Sequence, residues 1–176
     1  MRRPGLWELP LGTPAREILE QHAGGMRESY RFRGVLPGGA STGFLIEDQL
    51  DHPIDFDALE KVGSRVGTGT MIVLDDRTCP VGMVSSLERF FARESCGWCT
   101  PCREGLPWVA QTVHAIERGE GKPVDLEVLY HHVRQVRMHY TFCALAPGAM
   151  APLESALKYY RDDFTRHITE QRCPWS

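Results

Sequence analysis

Six cysteines stand at positions 79, 96, 99, 102, 143 and 173 of the 176-residue chain, and their spacing is uneven. Cys96, Cys99 and Cys102 form a C-x-x-C-x-x-C run, whereas the other three are far apart in the sequence. In a reducing compartment, clustered cysteines are more often metal ligands or redox groups than halves of disulfides. The run therefore predicts a metal or redox centre rather than a disulfide framework.

The spacing of this run favours an iron–sulfur cluster. Cysteines at i, i+3 and i+6 let one short loop hold three corners of a cubane cluster, which still requires a fourth thiolate. Cys143 follows the third predicted helix in a non-helical segment, and in an antiparallel bundle a residue after two intervening helices returns to the end it started from. The candidate ligands of one 4Fe-4S cluster are therefore Cys96, Cys99, Cys102 and Cys143.

Two other chemistries remain open for these cysteines. Zinc also binds soft thiolates, although structural zinc sites usually take their ligands as two separated pairs. Cys96 and Cys99 alone resemble a redox dithiol, but a dithiol has no use for a third cysteine at the same spacing. Cys79 is interpreted as a small buried residue near a domain junction, and Cys173 as a thiol of the tail. Both are placed outside the site. No spacing typical of metal binding is found among His114, His131, His132 and His139.

The composition excludes several classes of function. The chain has 42% hydrophobic and 24% charged residues, which is typical of a globular protein. Its formal net charge of -3 and the absence of a basic run disfavour a nucleic-acid partner. The longest apolar stretches are far short of the roughly 18 residues that a membrane span needs. Arg2 and Arg3 lead directly into Pro4-Gly5 without an apolar segment, so we expect no signal peptide and a cytoplasmic location.

The elements that position the cysteines change type along the chain. Up to residue 75, the pattern predicts short helices and several strands separated by glycine-rich turns. One helix covers 13–22 and a second short helical piece precedes Gly63, with strands over 6–11, 30–36, 44–46 and 71–74. From Met83 onward the apolar period is helical and predicts four helices, the last with Pro152 in its first turn and continuing to Ile168. The predicted class is α+β, with one domain over 1–75 and an antiparallel four-helix bundle over 76–176.

Three segments of the sequence point to a known family. Residues 90–105, with the letters FFARESCGWCTPCREG, resemble the cluster segment of the flavin-carrying, NADH-oxidising subunit of bacterial NADH-quinone oxidoreductase, or complex I. Residues 141–149, TFCALAPGA, are similar to the family's fourth-ligand segment, and residues 4–50 resemble its soluble-ligand-binding β-grasp domain. The resemblance implies that Cys96, Cys99, Cys102 and Cys143 ligate one 4Fe-4S cluster, and that a ubiquitin-like β-grasp domain precedes the helical bundle.

The resemblance also implies a function. In that family, FMN accepts a hydride from NADH and electrons pass singly through this cluster to the next iron–sulfur subunit and on to quinone. The domain that holds FMN and NADH has no counterpart in these 176 residues, and neither has the first β-grasp strand, so we expect a C-terminal part that does not oxidise NADH alone.

The implied partners are other peripheral-arm subunits, the small 2Fe-2S subunit and the large multi-cluster subunit, on the cytoplasmic side of the inner membrane. Flavin subunits of NAD-linked hydrogenases and formate dehydrogenases share the shorter Glu-Ser-Cys-Gly pattern, which keeps them as alternatives. A zinc-stabilised interaction module is the alternative from a different class of protein.

Overall fold

The computed structural model describes residues 1–136 and 139–176, which divide into two compact units, Met1–Arg77 and Thr78–Ser176. The first unit combines short helices with two strands, and the second is helical. The predicted α+β class is therefore confirmed. Among the described residues, no helix is both long and apolar enough to cross a membrane.

The first unit is built on a small antiparallel sheet. Strand β1 is Phe32–Leu36 and strand β2 is Ile72–Asp75, and Leu36 pairs with Ile72. The other elements are helix α1 (Ala15–Glu17), which continues as a π-helix over Ile18–His22, a 3-10 turn over Glu47–Gln49 and helix α2 (Phe56–Lys61). Aliphatic side chains from these elements and from the segments that connect them share one core, formed by Ala15, Leu19, Val35, Leu45, Leu50, Ile54 and Leu59.

Two sequence predictions for the first unit are corrected. The segment 6–11 is irregular rather than a strand, and its apolar residues Leu6 and Leu11 are 99% and 64% exposed, so they form no buried face. The strand predicted over 44–46 reduces to an isolated antiparallel bridge between Leu45 and Val35. The reason is local, because the chain enters the 3-10 turn at Glu47.

The second unit contains five helices within its described residues. They are α3 (Pro80–Glu94), α4 (Thr100–Glu117), α5 (Pro123–Gln135), α6 (Leu145–Tyr159) and α7 (Arg161–Glu170). Helix α3 packs against α4 and α6, α5 packs against the same two helices, and α7 contacts α3, α4 and α6. The core between them is aliphatic and aromatic, and its fully buried members include Val84, Leu106, Val113, Leu129, Leu153 and Phe164.

The last predicted helix is two helices in the structure. The backbone leaves helical geometry at Tyr160, with φ -122° and ψ 26°, and Pro152 lies inside α6 rather than in a first turn. Leu157, Tyr160 and Phe164 are all buried, so the apolar face continues across the break. Hydrophobic periodicity therefore could not reveal the interruption.

Candidate metal centre

The C-x-x-C-x-x-C run occupies the connection between α3 and α4. Gly97 has φ +73°, in the left-handed region that favours glycine, and this lets the chain turn between Cys96 and Cys99. Cys99 is the N-cap residue of α4, and Cys102 lies in the first turn of that helix. The three sulfurs are thus positioned by one loop and one helix start.

Cys143 approaches the same place from another part of the chain. It lies two residues before α6, and the neighbouring Phe142 N–H donates to Cys99 Sγ at 3.4 Å. A cavity of about 190 Å³ is lined by all four predicted cysteines together with Glu94, Thr141, Leu145 and Ala146. The structure therefore brings Cys96, Cys99, Cys102 and Cys143 to one cavity.

The four cysteines differ in exposure. Cys102 is buried, Cys99 is half-buried, and Cys96 and Cys143 are exposed. Burial raises the pKa of the Cys102 thiol, a hydrogen bond with Ser95 opposes this, and the charges of the other three cysteines raise the pKa further. The other sulfurs are thus close enough to act on Cys102 electrostatically, which is the behaviour of a single cluster of thiols.

Hydrogen bonds fix the geometry of this loop. Ser95 Oγ lies 3.0 Å from Cys102 Sγ and accepts from the Gly97 N–H at 3.2 Å. The Arg103 guanidinium donates to the Gly97 carbonyl at 3.2 Å. Donors around ligand sulfurs orient them and tune the reduction potential of a bound cluster. Ser95 is therefore a positioning group for the buried cysteine.

Two helix starts give the cavity a favourable electrostatic environment. Helix α4 begins beside Cys99, and α6 begins just after Cys143. A helix N-terminus carries a partial positive charge of roughly half an elementary charge. Both helix starts therefore stabilise negative charge on nearby thiolates.

The donor set, four cysteine thiolates, fits a 4Fe-4S cluster. In a cubane each thiolate binds a different iron, so its ligand sulfurs lie farther apart than ligands around one metal ion. Within the part of the chain that the structure describes, one group of three metal-binding side chains has donor atoms that all lie within 4.8 Å of one another. Its members are Cys79, His167 and Cys173.

The group around Cys79 was missed by sequence reasoning. Cys79 Sγ lies 3.2 Å from His167 Nε2, and burial raises the pKa of the Cys79 thiol to about 12. The sequence interpretation placed Cys79 and Cys173 outside any site and did not consider His167. One signal was available, because His167 follows Phe164 by three residues and so falls on the apolar face of its helix.

Comparison with known proteins gives the family. Residues 82–167 match the family model described as the NADH-ubiquinone oxidoreductase-F iron-sulfur binding region. Over 170 residues the chain is 53% identical to the F subunit of NADH-quinone oxidoreductase from Escherichia coli (strain K12), an alignment that covers 97% of this chain and 38% of that protein. The chain belongs to the F-subunit family of NADH-quinone oxidoreductase. The predicted resemblance and the predicted iron–sulfur region are thus confirmed.

Other relatives agree with membership of this family. The chain is 45% identical over 175 residues to the F 2 subunit of NADH-quinone oxidoreductase from Rhizobium meliloti (strain 1021), covering 99% of this chain and 41% of that protein. It thus spans about two fifths of the length of the curated relatives it matches. The solved structure of an NAD+-reducing [NiFe]-hydrogenase in the H2-reduced state is similar to this chain, with a TM-score of 0.77 and 30% identity. The match covers 98% of this chain and 28% of the hydrogenase chain.

Proposed function

We propose that this chain supplies Cys96, Cys99, Cys102 and Cys143 as the ligands of one 4Fe-4S cluster in an NADH-quinone oxidoreductase. When bound, the cluster supplies one-electron transfer between FMN and the next iron–sulfur subunit, on the route from NADH to quinone. The observation that carries the proposal is the cavity lined by all four cysteines, inside the region that matches the family's iron–sulfur model.

The residues of this chain would hold and tune the cluster. The four thiolates bind it, and burial of Cys102 keeps water away from one side of the cavity. The Phe142 N–H and the Ser95 hydroxyl provide hydrogen bonds to two of the sulfurs. Such bonds stabilise added negative charge and therefore raise a reduction potential.

Partners and location follow from the same proposal. Trp98 and Phe142, adjacent in sequence to proposed ligands, are 76% and 85% exposed, and exposed aromatic groups favour a protein partner. The proposed partners are the small 2Fe-2S subunit and the large multi-cluster subunit, on the cytoplasmic side of the inner membrane. FMN and NADH would bind in the part of the family's length that this chain does not span, so the chain alone should not reduce ferricyanide with NADH.

The finer fold description is part of the proposal. We assign 76–176 to a four-helix bundle because α3, α4, α5 and α6 pack on one another in a closed cycle, with α7 added to it. We assign 1–75 to an incomplete β-grasp domain, supported by its two-stranded sheet and by a core that takes side chains from both helices and strands. The identity of 53% to the Escherichia coli NADH-quinone oxidoreductase protein, against 30% to the hydrogenase, favours complex I over the hydrogenase alternative.

Anaerobic purification tests the ligand assignment. The chain should be brown, contain about four irons and four sulfides, and give an electron paramagnetic resonance signal after reduction by dithionite. Cys143→Ser should remove most of the iron, whereas the control variants Cys79→Ser and Cys173→Ser should retain it. Equal loss of iron in all three variants would contradict the assignment, and a protein with zinc but no sulfide would favour the zinc-stabilised module.

A further inference from the structure

A second set of metal-binding side chains converges away from the four-cysteine cavity. Cys79 is the N-cap residue of α3, His167 lies in α7, and Cys173 follows α7 near the end of the described chain. Their donor atoms all lie within 4.8 Å of one another although 88 residues separate Cys79 from His167. We propose that Cys79, His167 and Cys173 bind one zinc ion.

The distances match ligands around a single ion. Zinc lies about 2.3 Å from a thiolate sulfur and about 2.0–2.1 Å from an imidazole nitrogen, so these two donors are about 3.6 Å apart in a tetrahedral site. Cys79 Sγ and His167 Nε2 are 3.2 Å apart, a few tenths of an ångström from that value. Small side-chain movements would therefore complete the site.

The histidine presents the correct nitrogen to the two sulfurs. His167 Nδ1 lies 2.7 Å from the Asp163 carbonyl oxygen, which only accepts hydrogen bonds, so Nδ1 carries the proton. The lone pair is then on Nε2, the nitrogen that faces Cys79. A metal-binding histidine usually donates its other N–H to a carboxylate or a backbone carbonyl in this way. The imidazole is fully buried, which holds its orientation.

The charges of the site balance. Zinc from solution would displace one proton from each thiol, both protons would pass to the solvent, and no atom would change oxidation state. Two thiolates and a neutral imidazole around Zn²⁺ give no net charge, which limits the cost of burying the ion. The Gly82 N–H donates to Cys79 Sγ at 3.2 Å and would support the thiolate. Three protein ligands leave the fourth position to water or another donor.

The tail that carries Cys173 is folded back onto the site. The Trp175 ring stacks on the His167 ring, with centroids 5.9 Å apart and planes 14° apart. The Ser176 N–H and hydroxyl both donate to the Cys173 carbonyl, at 3.3 Å and 2.8 Å. These contacts place the third sulfur before any metal binds. Zinc would then tie this tail and α7 to the start of α3.

Metal analysis of the full chain tests the proposal. After anaerobic purification and passage over a chelating resin, we expect about one zinc per chain in addition to the iron. Cys173→Ser should lower zinc at least about fivefold and leave iron unchanged, while Cys143→Ser should lower iron and leave zinc unchanged. This crossed pattern separates failure of the zinc site from failure of the iron–sulfur proposal.

A second measurement guards against a variant that loses zinc only because it folds poorly. This control is needed because the site includes a fully buried residue, His167. Replacement of zinc by Co²⁺ should give a thiolate-to-cobalt charge-transfer band that weakens in Cys79→Ser and in Cys173→Ser. A strong zinc chelator should lower the melting temperature of the wild type but not that of Cys173→Ser, because only a site-bound metal stabilises the folded state.

Three results would overturn the zinc site. The first is a wild-type chain that holds no zinc and gives no sulfur-to-cobalt band. The second is zinc that is retained in Cys173→Ser and lost in Cys143→Ser. The third is a Cys79–Cys173 disulfide, found by mass spectrometry of protein purified without oxygen.

Discussion

At the scale of single residues, Ser95 offers a test of how the protein tunes a bound cluster. Its Oγ lies 3.0 Å from Cys102 Sγ. Removal of this hydrogen bond by Ser95→Ala should make reduction less favourable by about 1 kcal/mol, which for one electron is a potential about 40 mV more negative. A redox titration followed by electron paramagnetic resonance would measure the shift.

Two variants serve as controls for Ser95. Ser86→Ala removes an exposed hydroxyl from α3, the helix that ends just before Ser95, and should leave the potential unchanged. Ser95→Thr keeps a hydroxyl and should restore most of the wild-type potential. An unchanged potential in Ser95→Ala, with full iron content, would mean that this hydroxyl does not act on the cluster.

Glu88 is a buried acid whose ionised form is unfavourable in the folded protein. It is fully buried in α3, and neither carboxylate oxygen has a hydrogen-bond partner among residues 1–136 and 139–176. Burial raises the pKa of Glu88 well above its ordinary value near 4.5. A raised pKa means that the folded state binds this proton more tightly than the unfolded state, so stability falls as the pH rises from 4.5 toward the folded-state pKa.

Glu88→Gln should remove that part of the pH dependence. At about pH 8.5 we expect the variant to be more stable than the wild type by about 1–3 kcal/mol, and at about pH 6 by less. Urea unfolding at both pH values measures the difference. Glu28→Gln, which changes an exposed acid, is the control and should have little effect at either pH. A Glu88→Gln variant that is less stable at the higher pH would show that the carboxylate has a partner.

At the scale of elements, the end of α6 depends on a side chain from α5. The last four carbonyls of a helix lack partners within the helix. The Tyr130 hydroxyl donates to one of them, the Leu157 carbonyl, at 2.7 Å. Tyr130→Phe should therefore lower the unfolding free energy by about 1 kcal/mol, measured by urea unfolding. Tyr140→Phe, at a residue 57% exposed, should have no measurable effect; equal effects would contradict the capping role.

The sequence predicted local features better than features set by packing. The cysteine run was recognisable because its spacing lies within seven residues, and the helices α3, α4 and α5 because apolar residues recur in each at helical spacing. The break at Tyr160 was not predictable, because burial on both sides of it preserves the period. The strand predicted over 6–11 is wrong for a different reason, since its apolar residues Leu6 and Leu11 stay exposed and are not packed into a sheet.

The proximity of Cys79 to His167 could not be predicted from the sequence. Nothing local relates the N-cap of α3 to a residue in α7, because only the packing of α7 against α3 brings them together. Cys143 was predictable in principle, since helix counting returns it to the end of the bundle where the cysteine run lies. Its role as a ligand remains a prediction.

At the scale of the whole molecule, the second unit carries everything the proposed cluster requires. The four cavity cysteines and the matched region 82–167 all lie within Thr78–Ser176. This unit has its own buried core and about a hundred residues, above the size at which domains usually need disulfides or metals to fold.

A shortened chain over 76–176 should therefore keep the iron. Purified without oxygen, it should hold about four irons per chain and give the same reduced spectrum as the full chain, because every proposed ligand and the hydrogen bonds from Ser95 and Phe142 to ligand sulfurs lie within it. The shortened Cys143→Ser chain is the control and should be nearly iron-free. A shortened chain that is folded by circular dichroism yet binds no iron, beside a full chain that does, would mean that residues 1–75 are needed for cluster binding.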